Sequence, residues 1–202
     1  MQRISSMKFR VAPAVMSKGR IMSHGWVCVP NHYNSFPSFI QRSVDGHVHT
    51  WEGTGDIASD GRRLLSSLPR EPVGLIGYSY GGLVAWWVSI VAPDRIRELI
   101  ILGSIPHRKH IPHRLRWVCR TIPSCMMLWW RDESVVSRLY SVCRDIPIES
   151  PKVPTKWFLG ERDPYHKWDR NELPQWYHVI FVLHGGETYP AEQEWSRLQK
   201  FS

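Results

Sequence analysis

Apolar residues fall in short unbroken runs, and stretches with helical spacing stand between them. Val73 to Tyr78 and Ile96 to Leu102 are two such runs, the second broken only by an Arg-Glu pair. A strand that is apolar on both sides predicts burial on both faces, as in a parallel sheet covered by helices. Thr155 to Leu159 and His178 to Leu183 read the same way. Gly46 to Trp51 alternates imperfectly and predicts another strand. Asp56 to Leu68 predicts a helix, because Ile57, Leu64, Leu65 and Leu68 recur near helical spacing and Pro69 ends the pattern. Helices are also expected over residues 36–43, from Gly82 to Ala92 before Pro93-Asp94, and from Glu192 to Phe201. Near the start, a short strand is expected to end at His24, followed by a loop through Pro30, Asn31, Asn34 and Pro37. Residues 1–19 are expected to hold one or two edge strands, around Phe9-Arg10-Val11 and Ala14-Val15-Met16.

The alternation of strand and helix breaks once. Residues 105–150 are rich in Pro, Arg, His and Trp, with short helices expected around Met126 to Trp130 and Val135 to Tyr140. This stretch reads as an inserted helical cap over a cleft. The expected architecture is α/β: one domain over residues 1–202, built on a doubly wound, mostly parallel sheet, with the cap at 105–150. Such sheets place their sites at the carboxyl ends of strands. No repeat or low-complexity tract interrupts the chain.

Composition changes this picture in three places. Eleven Trp among 202 residues predict a large aromatic interior or an aromatic-lined cleft. A net charge of +8 favours an acidic partner, substrate or surface, while no nucleic-acid motif accompanies it. Cys28, Cys119, Cys125 and Cys143 form no C-x-x-C and no Cys/His cluster at zinc spacing, so reduced thiols are expected. No apolar run reaches the roughly 18 residues of a membrane span. The first 23 residues carry Arg3, Lys8, Arg10, Lys18 and Arg20 without an acid, a transit-peptide-like composition. The preferred reading is that they hold the first strands of a cytoplasmic protein.

Candidate chemistry centres on Gly77-Tyr78-Ser79-Tyr80-Gly81-Gly82, a G-x-S-x-G between an apolar strand and an apolar helix. A Ser on such a turn sits at a strained backbone angle with its hydroxyl pushed into a crevice. Asp163 follows the strand at 155–159, and His184 follows the strand at 178–183. Each alone has an ordinary explanation: a Gly-rich turn, an Asp-Pro turn, one of ten His. Together they supply the three residue types that nucleophilic catalysis by a serine needs, each after a strand. The His takes the hydroxyl proton, and the carboxylate holds the imidazole in the working tautomer. Asp169 is the competing acid.

These pieces resemble the α/β-hydrolase family. The match extends from His24-Gly25-Trp26 through the elbow and Leu159-Gly160-Glu161-Arg162-Asp163-Pro164 to His184-Gly185-Gly186. The resemblance implies a Ser79–His184–Asp163 triad acting on a carboxylic ester or thioester, a chemistry for which no metal or organic cofactor is expected. It also implies an oxyanion hole formed by the amides of Trp26 and Tyr80. The elbow tail is further similar to carboxylesterases that cleave the methyl ester of pimeloyl-acyl carrier protein in biotin synthesis, where basic cap residues hold the carrier.

From Ile105 to Thr121 there is no acid, while Arg108, Arg114 and Arg116 stand among several other cations with Trp117 beside them. Such a run is either a solvated face or a docking face for an anionic carrier, acyl carrier protein or coenzyme A. The apolar Met126 to Trp130 would line an acyl tunnel or form the cap's own core. Two other readings use the same residues: acyl transfer to an alcohol or amine, and a non-catalytic binding protein whose basic face is the functional surface.

Overall fold

The computed structural model describes residues 25–31, 36–50, 55–105, 111–127, 133–147, 149–160, 179–183 and 192–198. The expected strands around Phe9 to Met16, and the strand end at His24, lie outside them. In chain order the elements are β1 (Trp26–Val29), α1 (Ser38–Val44), β2 (His47–Val48), α2 (Ile57–Ser67), β3 (Val73–Tyr78) and α3 (Tyr80–Val91). After a 3-10 turn at Pro93–Arg95 come β4 (Ile96–Leu102), α4 (His113–Thr121), α5 (Ser124–Met127) and α6 (Glu133–Asp145). The chain continues through β5 (Thr155–Gly160), β6 (Val179–Leu183) and α7 (Glu192–Leu198). The bounds of β3 and β4 are those read from the apolar runs.

The described strands form one six-stranded sheet in the order β2-β1-β3-β4-β5-β6, and every pairing is parallel. Strand residues alternate between two cores. Val27, Val29, Leu75, Leu99, Ile101, Trp157 and Leu159 face one side, where α2 and α3 pack. Trp26, Cys28, Ile76, Ile100, Leu102 and Phe158 face the other, covered by Ile40 and Val44 of α1 and Trp195 of α7. The period of two along each strand thus feeds both layers of a doubly wound sheet.

Local chemistry explains the two helices nearest the site. The carboxylate of Asp56 caps α2 by accepting from Ser59 N–H at 2.7 Å. Helix α3 has no polar face: nine of its twelve residues are buried, so it lies in the middle of its layer rather than at the surface. Tryptophans knit the layers together. The rings of Trp86 and Trp157 meet edge to face at 5.3 Å, and their indole N–H groups donate to Glu149 O and Ser104 O. On the other face, Trp195 donates to Ser43 Oγ at 2.7 Å. Part of the aromatic excess is therefore interior.

The segment between β4 and β5 carries α4, α5 and α6: α6 spans the helix expected at Val135 to Tyr140, α5 overlaps the one expected around Met126 to Trp130 only at Met126 and Met127, and residues 128–130 lie outside the described residues. Its Ile111, Cys143 and Ile146 belong to the core that α3 builds. Met126 is 64% exposed, so it neither lines an enclosed tunnel nor sits in a core. Among the described residues all four Cys are free thiols, and no helix is long and apolar enough to cross a membrane.

Candidate active site

The last residues of β3 and β4 stand in one row, Tyr78 in register with Leu102, and the row continues through Phe158 and Phe181, beyond which β5 and β6 each run two residues further. Ser79 is the first residue beyond this row on β3. Its backbone has φ 51° and ψ −116°, a conformation L-residues rarely adopt. Three hydrogen bonds hold it there. Ser79 N–H donates to Leu102 O at 2.8 Å, and Ser79 O accepts from Gly82 N–H at 3.0 Å and from Ser104 Oγ at 2.6 Å. The turn closes only because side chains are missing around it. A Cβ on Gly81 would run into the backbone carbonyls of Val29 and Pro30, and one on Gly77 would strike the Gly82 backbone. Ser79 itself is half-buried, at the amino end of α3 where the helix dipole favours negative charge.

Tyr80, the next residue, is fixed at both ends. Its N–H donates to Asn31 Oδ1 at 3.2 Å, and its phenol donates to Asp60 Oδ2 at 2.8 Å. Asp60 is fully buried on α2 and also accepts from Gly55 N–H at 3.2 Å. The guanidinium of Arg138 lies over the Tyr80 ring, 5.7 Å from its centroid. Burial and the Asp60 carboxylate push the phenol well above its ordinary range, so it remains a donor.

One expected residue is misplaced. Trp26 opens β1, opposite Gly74 of β3, at the far end of the strand from Ser79. Five positions separate Gly74 from Ser79, about 16 Å of strand at roughly 3.3 Å per residue. The Trp26 amide therefore cannot face an oxyanion at Ser79. The side chain is a core residue, 2% exposed, in the layer covered by α1 and α7. Gly74 has no Cβ to obstruct the Trp26 ring, and Arg97 stands 6.0 Å above that ring. The loop beside the elbow is the one after Val29, because Val29 pairs with Gly77. It starts with Pro30 and Asn31, and sequence reading missed Asn31. The signal was the apolar run Trp26 to Val29, which is the strand, so His24-Gly25 precedes it. Asp60 was missed as well, although an acid among Ile57, Gly61 and Leu64 on the buried face of α2 marks a paired carboxylate.

Asp163, Asp169, His184 and Arg108 lie outside the described residues. The other basic residues fall on α4. Arg114 is exposed, while Arg116 and Trp117 border a cavity of about 540 Å³ between α4 and α6, together with His113, Arg120, Tyr140 and Arg144. No acid lines this cavity among the described residues, and Arg144 is paired with Asp145 at 2.8 Å. The Nε of Arg116 is buried and has no hydrogen-bond partner among the described residues.

A parallel sheet sandwiched between helices, with a serine at positive φ on the strand-to-helix turn, defines the α/β-hydrolase fold. A family model described as the alpha/beta hydrolase fold matches residues 25–118. The chain is similar to a marine microorganism esterase at 15% identity and TM-score 0.58, covering 89% of this chain and 95% of that one. It is similar to the Paleococcus ferrophilus monoacylglycerol lipase at 16% identity and TM-score 0.62, covering 88% and 93%. The thioesterase domain from the curacin biosynthetic pathway aligns at 15% identity and TM-score 0.50, covering 87% and 90%. No curated protein sequence matches the chain.

Proposed function

We propose that this protein is a serine hydrolase that cleaves a carboxylic ester or thioester. The observation that carries this reading is the strained Ser79 backbone at the carboxyl edge of the sheet, held from both sides by Leu102 and Ser104. A non-Gly residue at such an angle is costly, and strain of this kind gathers at functional sites. The fold likeness to an esterase, a lipase and a thioesterase supports the same chemistry.

In the proposed reaction Ser79 Oγ attacks the carbonyl carbon while His184 takes its proton. Asp163 orients the imidazole and stabilises its charged form. The N–H of Tyr80 holds the oxyanion. Collapse of the tetrahedral intermediate expels the alcohol or thiol, which leaves with the proton from His184. Water then repeats the sequence on the acyl-enzyme. His184 directly follows the last residue of β6, and Asp163 stands three residues past the end of β5, in keeping with these roles. Residues 105–150 act as the cap.

The test is turnover of p-nitrophenyl acetate and butyrate together with fluorophosphonate labelling. Both are expected in the wild type and absent in Ser79→Ala. A wild type inert to both across several acyl lengths overturns the reading and favours a binding protein.

The cationic cavity supports a finer reading, in which the acyl group arrives on an anionic carrier, acyl carrier protein or the phosphates of coenzyme A. Reversing Arg114 and Arg116 to Glu is expected to weaken turnover of carrier-bound acyl groups and to spare small esters. Equal loss on both removes the carrier.

A further inference from the structure

The tetrahedral intermediate of the proposed hydrolysis carries a full negative charge on the former carbonyl oxygen, and Tyr80 N–H supplies a single donor to it. With Trp26 at the other end of β1, a second donor has to come from the loop that leaves β1 beside the elbow. Val29 is in register with Gly77, so Pro30 and Asn31 emerge level with Tyr78 and Ser79. The absence of a Cβ on Gly81 lets the Val29 and Pro30 backbone press against the start of α3. This approach brings the Asn31 carboxamide to the amide in question, with Oδ1 accepting from Tyr80 N–H at 3.2 Å.

That contact places a carbonyl-like oxygen where a substrate's oxyanion would sit relative to Tyr80 N–H. Because Oδ1 makes the bond, the other arm of the same planar group is an NH₂ with two donors. On the hydrolase reading above, we propose that Asn31 is the second oxyanion-hole donor. Its carboxamide oxygen occupies the Tyr80 N–H while the site is empty. When the substrate oxygen takes that place, the carboxamide turns and Nδ2 donates to it.

The exchange discriminates by charge. A neutral substrate carbonyl competes on even terms with the neutral Asn31 oxygen, whose bond is at the long end of the usual 2.7–3.2 Å range. An oxyanion forms shorter, charge-assisted bonds roughly twice as strong, so it displaces Oδ1 and draws in Nδ2. An interaction made in the transition state and not in the ground state acts on kcat rather than KM.

The experiment is steady-state hydrolysis of p-nitrophenyl butyrate by the full chain, with thermal denaturation alongside. Asn31→Ala is expected to lower kcat by on the order of 100-fold with little change in KM. Asn31→Asp keeps an acceptor for Tyr80 N–H but has no donor and adds negative charge, so its kcat is expected to fall at least as far. If Asn31 merely braces the Tyr80 amide, the Asp variant keeps wild-type kcat, and that result overturns the proposal. Unchanged or faster turnover in Asn31→Ala also overturns it. A second measurement does not depend on variants folding: a crystal structure of the wild-type phosphonate adduct is expected to show Nδ2 within hydrogen-bonding distance of the phosphoryl oxygen, and an Nδ2 turned away overturns the proposal. Should the wild type neither hydrolyse esters nor take the probe, the hydrolase reading falls and this one with it. An active wild type with unaffected variants removes this one alone.

Discussion

The Tyr80 phenol donates a 2.8 Å hydrogen bond to Asp60, a carboxylate with no solvent exposure, and so ties the residue after the elbow serine to helix α2. Gly55 N–H meets the same carboxylate oxygen, and Arg138 of α6 covers the Tyr80 ring. Two segments far apart in the chain, residues 55–60 and the helix that carries Arg138, therefore brace one turn.

Removing the phenol should be costly. Tyr80→Phe takes a donor from a buried carboxylate and is expected to destabilise the fold by about 1–3 kcal/mol. Asp60→Ala takes the acceptor from both the phenol and Gly55 N–H, so a larger loss is expected. Urea denaturation of both variants checks the order. Equal or negligible losses would mean that the network does not brace the elbow.

On the proposed reading, Ser79 trades stability for function. Its φ of 51° costs on the order of 1–3 kcal/mol for a side-chain-bearing residue. Glycine tolerates that angle but adds about 0.5–1 kcal/mol of chain entropy to be lost on folding. The strain term is the larger, so Ser79→Gly is expected to gain about 1 kcal/mol, a rise in Tm of roughly 2–4 °C, while ester turnover is lost. A lower Tm would contradict the strain.

Gly81→Ala puts a methyl group into the carbonyls of Val29 and Pro30. Those atoms are the backbone at the end of β1, which pairs with β3, and neither can swing aside as a flexible side chain would. A loss of about 1–3 kcal/mol is expected from overpacking. Turnover should fall as well, since β1 and the elbow are forced apart. Wild-type stability in this variant would show that the two strands can separate freely.

Alkaline pH should destabilise the protein through Cys28. Burial pushes this thiol from its ordinary value of 9.0 up to about 12. Between those values the unfolded chain releases a proton that the folded chain keeps, so stability falls as pH rises. The contribution is complete below about pH 9 and is lost toward pH 12, with a slope approaching 1.4 kcal/mol per pH unit. The buried Tyr80 phenol acts in the same direction above pH 10. Denaturation of the wild type and Cys28→Ala between pH 8 and 10.5 is expected to show a shallower slope in the variant. Parallel slopes would mean that Cys28 ionises as readily folded as unfolded.

Much of the fold was legible from local pattern. The apolar runs at 73–78 and 96–102 coincide with β3 and β4, because a strand covered on both faces admits almost no polar residue. Asp56 and Pro69 bracket α2 for equally local reasons, a side-chain cap and a missing N–H. The elbow was readable too, since glycines crowd the turn around Ser79. Alternation along a strand states which face a residue occupies, but not which row of the sheet it joins. That row is set by pairing with a strand 48 residues away, and it puts Pro30 and Asn31 rather than Trp26 beside the elbow. The Asn31–Tyr80 and Asp60–Tyr80 bonds span 49 and 20 positions. Only the folded sheet brings such groups together, because hydrogen bonds act over a few ångströms of space and not along the chain.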